Sequence, residues 1–275
     1  MNASADVDPY NLRVTDSIPS TAPLASIDAR ELTVRFGSLT ALDRVTIAAA
    51  PGTILGVIGP NGAGKSTLIN CLTGLLEPTS GQVAVLGRSP AEDPGVKANI
   101  GIMPDGLELF NQLSAHEFLT FNGEMYGVPR AVAAQRAAEL LTALDLGDFH
   151  HRLGEGSTGM LKKVAFAAAL IHRPQVLFLD EPFESVDPGG VSTMKVWLRD
   201  LRAQGRTIWI ASHALDTIER LCDRAALMKD GRLAWHGDVA SSDTTEMIAD
   251  GQRFSSLEAL YFQLIGGRTD RPDWL

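Results

Sequence analysis

The rhythm of apolar and polar positions changes repeatedly along this chain. "ELTVRF" alternates in twos and stops at Gly37, which predicts a strand. "RVTIAAAPGTILGVIGP" predicts two more strands with a Pro-Gly turn between them. "LINCLTGLL" has helical spacing and ends near Pro78. "QVAVLG" reads as a short strand, and "NIGIMPD" as a buried strand entering a loop. Between about 114 and 172 the pattern turns helical. "SAHEF" places Glu117 three residues after Ser114, the spacing of a capping box. "RAVAAQRAAELLTALDL" then carries apolar residues at helical spacing as far as Gly147. "QVLFLDEP" is a continuous apolar strand with an acidic end. "GGVSTMKVWLRDLRAQG" is a helix, "TIWIASH" a strand and "ALDTIERLC" a helix. "RAALMKDGRLAWHG" is a hairpin turned by Asp230-Gly231. "SSLEALYFQLIGG" is an amphipathic helix.

Strands alternating with helices predict an α/β fold with a mainly parallel sheet. The early β-rich segment makes an N-terminal antiparallel subdomain, and the long helical stretch an inserted helical subdomain. The expected division is a mobile tail over 1–25, one main domain over 26–240 with its helical part at about 106–173, and an extension over 241–275 with one helix.

With 45% hydrophobic and 21% charged residues, the composition is that of a soluble globular protein. No apolar run is long enough to cross a bilayer, so work at a membrane needs another chain to span it. The N-terminus lacks the basic start and apolar core of a signal peptide. The two cysteines, Cys71 and Cys222, sit in apolar helical contexts and read as buried thiols of a cytoplasmic protein. A formal net charge of -9 argues against general nucleic-acid binding, and no nucleic acid is expected as partner.

The chemistry begins at "GPNGAGKST": Gly59, Pro60, Asn61, Gly62, Ala63, Gly64, Lys65, Ser66 and Thr67. This fits G-x-x-x-x-G-K-[ST] between a predicted strand and a predicted helix, the context a phosphate loop needs. Small residues let successive backbone N–H groups turn toward phosphates, and the helix start favours an anion. Lys65 can bridge the β- and γ-phosphates, and Ser66 can ligate Mg²⁺. The motif says nucleotide; it does not separate ATPase, GTPase and kinase. In "VLFLDEP", Asp180 emerges at the carboxyl end of a buried strand, where ligands bind in open α/β sheets. It is the candidate Mg²⁺ residue, through water, and Glu181 is the candidate to polarise the attacking water. His213 follows "TIWIAS" and could reach the γ-phosphate region. Alone it would read as a capping or surface histidine; its order behind Asp180-Glu181 gives it weight.

Together "GPNGAGKST", "GSTGM", "VLFLDEP", "SVD" and "SH" resemble the ATP-binding subunit of an ABC transporter, over roughly 27–239. The resemblance implies that Phe36, in "VRFGSLTAL", stacks on adenine. It implies that "GSTGM" is the signature turn, with Ser157 and Gly159 in its two most telling positions, while Gly156, Thr158 and Met160 differ from the usual residues. Such a turn closes over ATP on a partner's phosphate loop, so two ATP lie in a head-to-tail dimer. Asp187 matches the loop crossing that interface and can also cap the next helix. Asp105 stands where the family usually places Gln; it can bind a hydrated Mg²⁺ but, ionised, cannot donate a hydrogen bond. "MPDGLELFNQLSAHEFL" and the Met-type signature look like bacterial subunits that pair with ABC-2-type permeases.

The implied function is an ATPase motor for export through a separate permease, peripheral on the inner face of the plasma membrane. Its partner would be a second ATPase subunit, the same or a paralogue. A soluble ABC-type ATPase acting on a macromolecular complex is the alternative. A GTPase would need N-K-x-D, and "MKDG" is a hairpin turn. A weak regulatory subunit is argued against by Glu181 and His213, though Asp105 leaves it open.

Overall fold

A computed structural model describes residues 25–107, 109–149, 151–239, 247–249 and 252–266. The tail expected over 1–25, apart from Ala25, and the charged end after Gly266 lie outside the described residues.

β1 (Ile27–Phe36) and β2 (Leu39–Ala49) form a hairpin turned at Gly37, whose φ of 60° suits glycine. β3 (Ile54–Ile58) enters the interior and leads into α1 (Lys65–Leu72). β4 (Ser80–Val85) returns to β1, giving an antiparallel sheet of order β2-β1-β4. A single turn, α2 (Pro94–Lys97), precedes β5 (Ile100–Met103). Then come α3 (Ala115–Met125), α4 (Arg130–Ala143) and α5 (Thr158–Leu170). The rest runs β6 (Val176–Asp180), α6 (Pro188–Ala203), β7 (Thr207–Ser212), α7 (Leu215–Leu221), β8 (Arg224–Lys229), β9 (Arg232–Asp238), β10 (Met247–Ala249), β11 (Gln252–Phe254) and α8 (Leu257–Leu264).

The main sheet has the order β5-β6-β7-β3-β8-β9, parallel except for the last strand, which is antiparallel to β8. β3 and β6, far apart in sequence, thus flank β7. Both faces of this sheet are covered, and that explains the continuous apolar runs. In β6, Leu177 and Leu179 face one core while Val176 and Phe178 face the other; in β7, Ile208 and Ile210 oppose Trp209 and Ala211. One core holds the inserted helices, the other the antiparallel sheet and α1. Each such Leu or Ile contributes about 1.5–3 kcal/mol by leaving water.

The capping box is formed in full: Ser114 Oγ accepts from the Glu117 N–H at 3.2 Å, and Glu117 accepts from the Ser114 N–H at 2.9 Å. Strand β1 starts four residues before the alternating segment, and its register with β2 shifts at several bulges. α1 stops at Leu72, short of "GLL". There the Thr73 hydroxyl donates to the Ile69 carbonyl, and Gly74 turns to a φ of 68°. Cys71 and Cys222 are both buried and free, and burial pushes the Cys71 thiol up to about 11. Among the described residues no helix is long and apolar enough to cross a membrane.

Candidate functional site

Parallel register brings the chemical residues to one edge. Ile58 pairs with Ser212, Asp180 with Ala211 and Met103 with Leu179, so β3, β5, β6 and β7 end side by side. The loops that follow carry the phosphate loop, Asp105, Glu181 and His213.

The phosphate loop is shaped by close packing. Gly64 has φ 100°, and an added Cβ would lie 2.7 Å from the Ala41 carbonyl oxygen of β2. Only glycine meets both demands. Lys65, buried, donates to the carbonyls of Gly59 at 2.7 Å and Pro60 at 3.2 Å, which folds its ammonium back over the loop. α1 has neither a side-chain cap nor an acid in its first turn. Its first N–H groups, which no helix satisfies internally, are therefore open to an anion. Gly62, at φ 81°, has nothing within 4 Å of where a Cβ would be, so the loop's outer side is open. Phe36 ends β1 with half its surface exposed, on the hairpin whose second strand packs on Gly64.

Ser66 Oγ donates to Asp180 Oδ2 at 2.7 Å across 114 residues of sequence. Burial pushes the Asp180 carboxyl above its ordinary value; the Ser66 bond pulls it down, the charges of Asp105 and Glu181 push it up, and Lys65 lowers it. Hydroxyl and carboxylate oxygens side by side are hard donors of the kind Mg²⁺ takes, in company with phosphate oxygens and water.

Glu181 is held at both ends. Oε2 accepts from Ser212 Oγ at 2.9 Å, and Oε1 lies 2.9 Å from His213 Nδ1. In the tautomer with the proton on Nδ1, the ring donates to Oε1, and the ring is largely exposed. The Glu181 backbone sits at φ 45°, in the left-handed region that favours glycine.

The turn at Ser157 and Gly159 lies elsewhere. Ser157 Oγ accepts from the Met160 N–H at 3.3 Å and starts α5; Ser157 and Thr158 are exposed. A Cβ on Gly159 would stand 2.2 Å from the Ser185 carbonyl oxygen, so α5 packs against the loop before α6. Asp187 caps α6 by accepting from the Gly190 N–H at 2.7 Å and pairs with Lys163 at 3.0 Å. These two bonds, in that order, hold its carboxyl below the usual range.

The family described as ABC transporter matches residues 42–184. The chain belongs to the ABC transporter family. ATP is the nucleotide that goes with its cassette. It is 37% identical over 225 residues to the fluoroquinolones export ATP-binding protein of Mycobacterium tuberculosis strain CDC 1551, covering 80% of this chain and 72% of that protein. It is 33% identical over 260 residues to a probable multidrug ABC transporter ATP-binding protein of Escherichia coli strain K12, covering 92% of this chain and 44% of that one. A solved ATP-binding subunit of an ABC transporter superposes with a TM-score of 0.77 at 28% identity, covering 86% of this chain and 98% of that one. The chain spans about half the length of the first curated relatives it matches.

Three residues of this ABC cassette escaped the sequence reading. Ser212 could have been suspected as the partner-bearing residue before His213. Lys162 and Lys163 are adjacent, and the helical pattern offered no sign that both would be buried. Lys162 donates to Asp105 Oδ1 at 2.9 Å and to the Glu181 carbonyl at 3.1 Å.

Proposed function

We propose that this chain is the ATP-hydrolysing motor subunit of an exporter, dimerising on ATP and driving a separate ABC-2-type permease from the inner face of the plasma membrane. The observation that carries the hydrolytic half is Glu181. Its carboxylate is oriented by Ser212 and His213, one residue beyond the Asp180–Ser66 pair and beside the Lys65 loop. In this reading Phe36 stacks on adenine, and the N–H groups of 59–67 with Lys65 hold the phosphates. Ser66 and Asp180, with Asp105 on the same side, hold Mg²⁺. When bound there, Mg²⁺ would supply charge neutralisation on the phosphates. Glu181 accepts a proton from the attacking water, and His213 keeps that carboxylate aimed while its Nε2 faces the leaving phosphate.

Ser157 and Gly159 serve a second copy or a paralogue. The turn is exposed, and the groups that an added Cβ would meet at Gly154, Gly156 and Gly159 come from Asn111, Phe149, Leu153, Leu161, Ser185 and Val186, not from the chain's own phosphate loop. The permease reading is supported by an exposed apolar cluster. Phe121 and Met125 on α3 and Phe110 in the loop before it stand open to solvent, with Phe110 edge-on to Phe118 and Phe121. Phe110 follows Asp105 by five residues, on the segment that leaves β5. On this reading 26–240 is the ATPase domain, with its helical part at about 106–173, and 241–275 an extension.

The test is to look for a multi-span protein encoded beside this chain and to co-express the two, followed by ATPase and export assays in vesicles. Export that requires ATP and stops with Glu181→Gln supports the reading. A chain that hydrolyses ATP yet assembles with no membrane protein overturns the transport half.

A further inference from the structure

Lys162 is 3% exposed, and Lys163, next to it on α5, is 5% exposed. Adjacent residues point about 100° apart on a helix, so these two ammonium groups serve different neighbours. Lys163 meets Asp187. The Lys162 ammonium has three N–H groups, and its recorded acceptors are Asp105 Oδ1 at 2.9 Å, the Glu181 carbonyl at 3.1 Å and, at long range, the Asp105 carbonyl at 3.5 Å. All three belong to the two loops that leave β5 and β6 at the catalytic edge.

Burying an ammonium costs several kcal/mol before pairing, and an apolar residue of similar volume commonly serves stability as well. Packing alone therefore gives no reason for lysine here. Its contacts give one. Glu181 has φ 45°, a conformation that persists only when its surroundings impose it. Its N–H donates to the Ala211 carbonyl at 2.9 Å, and its carbonyl accepts from Lys162, so its backbone is held on both sides of the Cα. The same ammonium draws Asp105 toward α5.

We infer that Lys162 is a positioning residue for hydrolysis: it ties Asp105 to the Glu181 peptide, so the helix that begins at the Ser157 turn sets the acid end of its own chain's site. The inference rests on Glu181 being the base. Ser157 and Lys162 are five residues apart on one helix segment. A contact made at Ser157 by a partner's nucleotide is thereby conveyed to the Glu181 backbone of this chain. Lys162 touches no substrate; it acts through Glu181 and Asp105.

A double-mutant cycle on the purified full chain tests this, with kcat and the KM for ATP measured separately. Lys162→Met removes the charge, and Asp105, half-exposed, is left to water, so the fold is retained. Lys162→Met is expected to lower kcat about tenfold while KM stays within about twofold, and to cost threefold or less when Asp105 is already Gln. Lys162→Arg restores part of kcat, since it returns a cation with several donors. Equal losses in both backgrounds, accompanied by a parallel fall in melting temperature, would show a packing role and overturn the inference; so would an unchanged kcat. Glu181→Gln, run alongside, separates the two layers. Parent-like turnover in that variant sinks the base reading, while coupling between Lys162 and Asp105 is still read from the cycle.

Discussion

At the carboxyl ends of β3, β6 and β7 the acids have partners within the chain: Asp180 with Ser66, Glu181 with Ser212 and His213. At the start of α5 the arrangement is reversed. Ser157 caps its own helix, Ser157 and Thr158 are exposed, and the turn brings no titratable group to the catalytic edge. The first region is a site that holds its geometry alone. The second is an exposed surface, which the proposed function assigns to a partner's nucleotide. Under the proposed function this contrast is a division of labour: this chain supplies the acids for one ATP and the lid for another.

Glu181→Gln strikes the self-contained region hardest. Turnover should fall by about a hundredfold or more, the usual scale for a lost general base, while ATP still binds and joins two subunits. Phosphate release and light scattering measure both, and parent-like turnover removes Glu181 from its role. Lys65→Ala comes next. Nucleotide affinity should weaken at least about tenfold by fluorescent-nucleotide titration, because a charge-assisted contact to phosphate is lost; unchanged affinity would sink the phosphate-loop assignment.

The third prediction tests whether the acids are kept at a cost to stability. The Asp180 carboxyl is raised by burial, so its folded value lies above its unfolded one. Such a group contributes its stability below the unfolded value and loses it as pH rises through the folded value. Asp180→Asn keeps the acceptor for Ser66 but carries no charge. It should melt about 2–4 °C higher than the parent near neutral pH, with the gain vanishing below about pH 4, and should hydrolyse poorly. A melting temperature that falls at pH 7 contradicts the burial argument.

Ser157→Ala gives the smallest effect on the isolated chain. Loss of one exposed cap costs about 1 kcal/mol by thermal unfolding, with ATP affinity of the monomer unchanged. The ATP-dependent dimer should nonetheless weaken. If monomer affinity falls as well, the turn belongs to the chain's own site and the division of labour is wrong.

Much of this was legible in the sequence because the signals were local. Four apolar residues ahead of Asp180 announced its strand, and the spacing of 59–67 announced the cradle between a strand and a helix. The hairpin at Asp230-Gly231 and the capping box at Ser114 formed as read. What was not legible depended on distant partners or very short elements. Lys162 looks like a solvated helix face until Asp105, 57 residues earlier, folds against it. Ser212 reaches Glu181 across 31 residues. β10 and β11 are three residues each, too short for any alternation to register.

Gly159 leaves no room between α5 and the Ser185 carbonyl, and Lys163 fastens the same helix to Asp187. The start of α5 and the loop before α6 are therefore one stiff edge with two prongs. A displacement of either prong would carry the other with it. Two identical chains joined this way would close both nucleotide pockets in a single stroke, because neither edge has the slack to let one pocket shut while the other stays open.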